Sequence, residues 1–212
     1  MTREGHEAVR SRRIRTNRLE SLSDGVFAFA MTLLVLDLGV PTGSTHLLRV
    51  IGEQWPSYLG YVVSFATIGA IWLGHSAITE YLEYANIITM RLNLLLMFSV
   101  ALLPFPTRLM ADYIRAGGTE RVATTFYGLC LLMTSLLLSL LWRYVVRAGL
   151  IHADAKDTEV QMLTDRLTPG AIGYVAVIVV GIFLPVVAIV GYLVIAFYYL
   201  EPSRFVRRRR RR

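Results

Sequence analysis

The chain has 212 residues, of which 55% are hydrophobic and 17% charged. A soluble domain carries about a quarter charged residues, and the apolar residues here cluster in runs of the length that crosses a bilayer. This composition excludes a water-soluble enzyme, a disulfide-built secreted module and a disordered chain. It predicts an all-α integral membrane protein.

The net charge of +7 comes almost entirely from arginine, with six arginines before residue 19 and seven after residue 203. Basic ends that flank membrane spans predict cytoplasmic tails, which rest on anionic lipid headgroups. No aromatic residues alternate with these arginines, so nucleic acid is not expected as a partner. The single cysteine, Cys130, allows neither a disulfide framework nor a cysteine-based metal site.

Four apolar runs predict membrane helices over 22–40, 55–78, 90–110 and 122–146. The first run is too long for the core of a signal peptide, so we expect it to be a retained helix. Pro104 and Pro106 interrupt the third run. Residues 147–168 carry mixed charges and predict either a small cytoplasmic helix or a solvated link.

The last run, 171–200, fits either one overlong helix or two short ones, and Pro185 in its middle favours a break. If the amino terminus lies in the cytoplasm, six spans place 18 of the 22 Lys and Arg residues on the cytoplasmic side. Five spans would divide these residues equally between the two sides. The positive-inside rule therefore favours six spans with both termini in the cytoplasm. We expect a basic segment over 1–21, one membrane domain over 22–200 and an arginine-rich tail over 201–212.

The first span opens with polar residues, which are costly in lipid and therefore candidates for function. Ser21 followed by Asp24 resembles a capping box, and this interpretation needs no function. Arg18 is close enough in sequence to pair with Asp24. Ser23 lies between them.

Gly25, Phe29, Thr32 and Leu36 recur at helical spacing along this span. A stripe of this kind either packs against a neighbouring helix or lines a pore surrounded by several copies. The residues alone favour packing.

Trp72 and His75 lie near the cytoplasmic end of the second span. No H-x-x-x-H pattern or carboxylate cluster accompanies His75, so we expect a hydrogen-bonding residue rather than a metal ligand, and no cofactor. Catalytic patterns such as G-x-S-x-G and the P-loop are absent, and we do not expect an enzyme. The T-V-G-Y-G filter of ordinary potassium channels is absent as well.

The stretch from Arg18 through Ser23, Asp24 and Gly25 resembles the R-x-x-x-F-S-D-G opening of the transmembrane protein 175 family of potassium channels. Two further segments agree with prokaryotic members: W-L-G-H at 72–75, and R-L-N at 91–93 continuing to A-L-L-P-F-P-T at 101–107. Together they cover roughly the first half of the chain.

The resemblance implies six helices per subunit and a homotetramer whose first helices line a central pore in the bacterial plasma membrane. It places the constriction at Phe29, a cation-selective polar layer at Thr32 and a further apolar ring at Leu36. A buried network comprising Arg18, Ser23, Asp24, Trp72 and His75 would brace this helix.

Two positions depart from the family pattern, because Leu22 replaces the motif phenylalanine and Phe29 replaces an aliphatic residue. Four phenylalanine rings either form a larger apolar plug, which favours a dewetted, closed pore, or rotate aside and leave the pore open. The expected function is passive, potassium-favouring cation conduction, with transient K⁺ near Thr32. The alternative is a proton-linked carrier or proton-permeable channel that uses Asp24 and His75 as a relay.

Overall fold

In the computed structural model, the described residues are 16–39, 46–116, 120–153, 155–167 and 170–200. Within these ranges the chain is helical, without β-strands: α1 Thr16–Leu36, α2 Leu47–Glu53, α3 Trp55–Tyr81, α4 Ile87–Leu102, α5 Pro104–Ala116, α6 Glu120–Arg147, α7 Asp157–Leu167, α8 Gly170–Phe183 and α9 Pro185–Leu200. The arginine-rich tail over 201–212 and most of the basic segment over 1–21 lie outside the described residues.

Five stretches of the described chain are long and apolar enough to cross a membrane: Thr16–Leu36, Trp55–Tyr81, Ile87–Ala116, Glu120–Arg147 and Asp157–Phe183. A shorter apolar helix, Pro185–Leu200, follows them. The predicted all-α membrane protein is confirmed. The first helix begins at Thr16 rather than at residue 22, because the polar residues ahead of the apolar run continue the same helix.

Proline sets the helix breaks inside two of the predicted runs. The third run divides into α4 and α5, with Pro104 as the first residue of α5. The last run divides at Leu184, and α9 begins at Pro185. Both breaks have the same cause, since proline lacks an amide hydrogen and is tolerated only in the first turn of a helix.

Helices α8 and α9 form an antiparallel hairpin with closely spaced backbones. A Cβ added to Gly181 would lie 3.1 Å from Ala188, and one added to Gly191 would lie 2.9 Å from the Val177 side chain. The two residue numbers of each pair add up to nearly the same value, as expected when two helices run antiparallel. Small residues allow helices to approach closely in a membrane. The last run therefore crosses back on itself, as the predicted two-helix interpretation requires.

The segments at the cytoplasmic end of the predicted topology are tied together by backbone hydrogen bonds. The Glu83 amide donates to the Leu150 carbonyl and the His152 amide donates to the Tyr81 carbonyl, which joins the α3–α4 loop to the segment after α6. Helix α7 occupies part of the predicted link over 147–168. Ser139 Oγ donates to the Leu167 carbonyl at 2.7 Å and anchors α7 to α6.

Helix α3 lies at the centre of the bundle and packs against α1, α5 and α9. Helix α1 also packs against α4, whereas the α8–α9 hairpin packs against α3 and α6. The helix that carries the sequence motif therefore lies at one side of the bundle, with one face free of the subunit's core.

Candidate functional site

Helix α1 has one face buried in the subunit and one face exposed. The buried residues recur at helical spacing: Leu19, Ser23, Phe27, Ala30 and Leu34. The predicted stripe lies on the exposed side, since Phe29 is 64% and Leu36 73% exposed and both Gly25 and Thr32 are exposed. A Cβ built on Gly25 meets no atom within 4 Å. In the part of the chain that the structure describes, no neighbouring helix covers the stripe.

The Thr32 hydroxyl is oriented by its own helix. Thr32 Oγ1 donates to the Phe29 carbonyl at 2.8 Å, which satisfies the hydroxyl proton. The oxygen lone pairs remain on the exposed side of α1 and are free to accept a hydrogen bond or to contact a cation.

A chain of buried hydrogen bonds joins α3, α4 and α1. His75 Nε2 lies 2.7 Å from Asn93 Oδ1, Asn93 Nδ2 donates to Ser23 Oγ at 2.9 Å, and Ser23 Oγ donates to the Leu19 carbonyl at 2.8 Å. His75, Asn93 and Ser23 are each at most 2% exposed. With Asn93 Oδ1 as acceptor, His75 Nε2 is the donor, so all three bonds run in one direction.

Asp24 makes a separate contact with α3. Trp72 Nε1 donates to Asp24 Oδ1 at 2.9 Å, and both side chains are exposed at the surface of the subunit. Adjacent residues of the motif therefore have different partners: Ser23 points into the bundle, whereas Asp24 points along its surface. Together they attach the first half of α1 to α3 and α4.

Arg18 is exposed, and no ion pair among the described residues joins it to Asp24. Six residues on a helix separate two side chains by about 9 Å along the axis and place them on different sides. The pairing suggested by their closeness in sequence is therefore not formed within the subunit.

Asn93 belongs to the R-L-N segment that carries the family resemblance, but it was not among the predicted site residues. It occupies the middle of the buried chain, with one amide atom for each neighbour. A lone asparagine inside an apolar span was the available signal, because polar side chains in lipid require partners.

The opposite end of α1 contacts α5 through charged groups. Asp37 Oδ1 lies 3.7 Å from Arg108 Nη1, and Arg108 Nε lies 3.7 Å from Asp112 Oδ2. These residues line a cavity of about 220 Å³. Burial raises the pKa of Asp37, with Arg108 lowering it and Asp112 raising it further. The carboxylate at this end thus pairs with an arginine of its own subunit.

Among the described residues, no group of three or more His, Cys, Asp or Glu side chains is placed to hold a metal ion. The polar groups near α1 either form hydrogen bonds between helices or lie on the exposed stripe. The arrangement can hold one helix firmly while leaving a mixed apolar and hydroxyl face open.

Comparison with known proteins identifies relatives of this chain. Residues 18–104 match the family described as endosomal/lysosomal potassium channel TMEM175. The chain is 35% identical to a potassium channel of Streptomyces collinus over 87% of this chain and 91% of that one. It is 33% identical to a chicken endosomal/lysosomal proton channel TMEM175 over 49% of this chain and 23% of that one.

A solved structure shows the same fold. The crystal structure of a lysosomal potassium-selective channel TMEM175 homolog from Chamaesiphon minutus superposes with a TM-score of 0.79, at 30% identity, over 87% of this chain and 96% of that one. The sequence match covers 91% of the Streptomyces relative, and the structural match covers 96% of the Chamaesiphon chain. The chain belongs to the TMEM175 family.

Proposed function

We propose that four copies of this chain form a potassium channel whose central pore is lined by α1. The observation that carries the proposal is the unpartnered stripe of α1, which lies opposite the buried face of the same helix. A single exposed stripe cannot enclose an aqueous path, so several copies must surround an axis. The bacterial relatives named as potassium channels support potassium as the ion.

The stripe supplies three layers along the proposed axis. Thr32 lies about 4.5 Å beyond Phe29, and Leu36 lies about 6 Å beyond Thr32, at 1.5 Å per residue. Phe29 is the apolar constriction that gates by excluding water, and Thr32 offers hydroxyl oxygens to a partly dehydrated cation. Leu36 narrows the exit. The hydrogen bonds of Ser23 and Asp24 fix the position of α1 and therefore the height of each layer along the axis.

The proposed channel lies in the bacterial plasma membrane with both termini in the cytoplasm. The distribution of Lys and Arg supports this orientation. The membrane domain spans 22–200, and the basic segments 1–21 and 201–212 contact anionic headgroups.

Ion flux in proteoliposomes tests the constriction. Vesicles loaded with potassium and bathed in sodium, with a proton ionophore for charge balance, should release potassium faster with Phe29→Ala than with the wild type. Phe197→Ala is the matched control, because Phe197 is 56% exposed on α9 and lies outside the stripe. An equal change in both variants, or none in either, contradicts the assignment.

Selectivity tests the hydroxyl layer separately. Thr32→Val keeps the shape of the side chain and removes the oxygen, so the preference for potassium over sodium should narrow. Thr32→Ser should retain most of the preference. If Thr32→Val discriminates as the wild type does, the layer does not select the ion.

The tetramer has its own test. Crosslinking of the full-length chain in mild detergent should give a ladder that ends at four subunits. A product that stops at one or two subunits contradicts a pore assembled around α1.

Proton conduction is the second candidate, because vertebrate relatives are named proton channels. The hydrogen-bonded chain from His75 ends on the Leu19 carbonyl and does not include Asp24, which argues against a relay between these two ionisable groups. A proton flux abolished in His75→Ala, in protein that still assembles, would favour this candidate over the potassium channel.

A further inference from the structure

Two exposed stripes on adjacent helices carry arginine near one end. On α4 the stripe comprises Ile87, Arg91, Leu94 and Phe98, and on α6 it comprises Leu129, Met133, Leu136, Leu140, Arg143 and Arg147. Each follows the spacing of one helix face. Both stripes are apolar over most of their length, as expected of surfaces that face lipid tails, and their arginines lie at the same end of the bundle.

A hydrogen bond fixes the level at which these arginines lie. Asn86 Nδ2, at the start of α4, donates to Tyr144 Oη of α6 at 2.8 Å. Arg143 and Arg147 are one and three residues from Tyr144, and Arg91 lies about 7.5 Å further along α4 than Asn86. An arginine side chain extends several ångströms and directs its charged end toward the membrane surface. Because α4 starts where α6 ends, the Cα atoms of Arg91 and Arg147 lie about 12 Å apart along the bundle axis. Side chains lean toward the amino end of their own helix, so Arg91 on α4 and Arg147 on α6 extend toward the same level.

Acidic residues on α4 and α6 do not balance the positive charge of these three arginines. Helix α4 has no acidic residue, and the only acidic residue of α6 is Glu120, at the opposite end. Among the described residues, no ion pair involves Arg91, Arg143 or Arg147. Glu83, in the loop before α4, takes part in an interaction as well.

We propose that Arg91, Arg143 and Arg147 form a binding site for the phosphate headgroup of an anionic phospholipid in the cytoplasmic leaflet, with its acyl chains along the apolar stripes of α4 and α6. Basic pockets between membrane helices on this side bind anionic headgroups. Guanidinium forks match the geometry of phosphate oxygens. The site consists of residues outside the arginine-rich termini; it rests on the proposed membrane orientation but not on the proposed ion selectivity.

Native mass spectrometry of the full-length protein in mild detergent tests the site. Phosphatidylglycerol and phosphatidylcholine are titrated against the wild type, Arg91→Gln/Arg143→Gln and the control Arg49→Gln/Arg121→Gln, whose arginines are exposed at the opposite end. One arginine contributes about a fivefold factor in affinity, so the first variant should bind phosphatidylglycerol on the order of twentyfold more weakly. The control should bind as the wild type does, and phosphatidylcholine binding should not change.

Three results would overturn the proposal. Equal losses in the two variants would mean that only net charge matters. Displacement of the lipid by millimolar inorganic phosphate would mean that the arginines bind a free anion. A smaller assembly of Arg91→Gln/Arg143→Gln in crosslinking would mean that this face contacts a second copy of the chain rather than lipid.

Discussion

Asn93 of α4 donates a hydrogen bond to Ser23 of α1 at 2.9 Å, and both side chains are buried. This bond places the start of the proposed pore helix against a helix about 70 residues further along the chain. Because the same amide also accepts from His75, a single side chain sets the relative positions of three helices. The rigidity of the motif thus depends on a residue outside it.

Replacing Asn93 with leucine should destabilise the protein. The change replaces the amide with an apolar side chain of similar size and leaves the buried His75 Nε2 donor without an acceptor, at a cost of about 1–3 kcal/mol. Thermal unfolding in detergent, followed by size-exclusion chromatography, measures the loss. Ser99→Ala is the control, because the Ser99 hydroxyl is buried on the same helix but donates to its own backbone, at Leu96. Equal melting temperatures for the two variants would show that the interhelical chain adds no stability.

The contact between Trp72 and Asp24 should be measurable as a coupling energy. Trp72→Phe removes the indole donor and Asp24→Ala removes the acceptor, and a double-mutant cycle isolates their interaction at about 0.5–1.5 kcal/mol. Trp55→Phe serves as the control, since Trp55 is exposed at the other end of α3. A cycle with Trp72 that gives no more coupling than the one with Trp55 would show that the hydrogen bond does not hold α1.

Asp37 should make stability depend on pH in an unusual direction for a carboxylate. Burial raises its pKa, so the folded state holds the proton more tightly than the unfolded chain does. Its contribution to stability is therefore greatest in acid and is lost as the pH rises through the raised pKa. Melting temperatures of the wild type and Asp37→Asn between about pH 4 and pH 8 measure this difference.

We expect the wild type to lose stability relative to Asp37→Asn as the pH increases. Glu53→Gln, which removes an exposed carboxylate paired with Arg49 in the helix after α1, controls for net charge. If the wild type instead gained stability over Asp37→Asn with rising pH, the ion pair with Arg108 would outweigh the burial of the carboxylate.

The contact between α6 and the α8–α9 hairpin should not tolerate a larger residue at Gly128 of α6. A Cβ at this position of α6 would overlap the hydroxyl of Tyr192, whose ring is fully buried on α9. Overpacking of this kind costs about 1–3 kcal/mol, so Gly128→Ala should lower the melting temperature. Gly69→Ala in α3 is the control, because its nearest neighbour is an ordinary contact at 3.8 Å from Leu200. Similar melting temperatures for the two variants would mean that Tyr192 moves aside without cost.

The sequence alone determined the class of protein and most of its helices. The length of an apolar run and the missing amide hydrogen of proline are properties of the local sequence. The membrane spans and the breaks at Pro104 and Pro185 were therefore predictable. The start of α1 was placed late, because its first turns are polar. The motif residues were recognisable as a linear pattern, and that pattern indicated the family.

Only the tertiary structure decided the partner of each polar group. Ser23 and Asp24 are neighbours in the motif, yet one contacts Asn93 and the other Trp72, because consecutive residues lie 100° apart around a helix. Which side chain meets which depends on the packing of helices distant in sequence. The same packing left Phe29 exposed on α1 and buried Phe27, a difference that apolar character alone does not reveal.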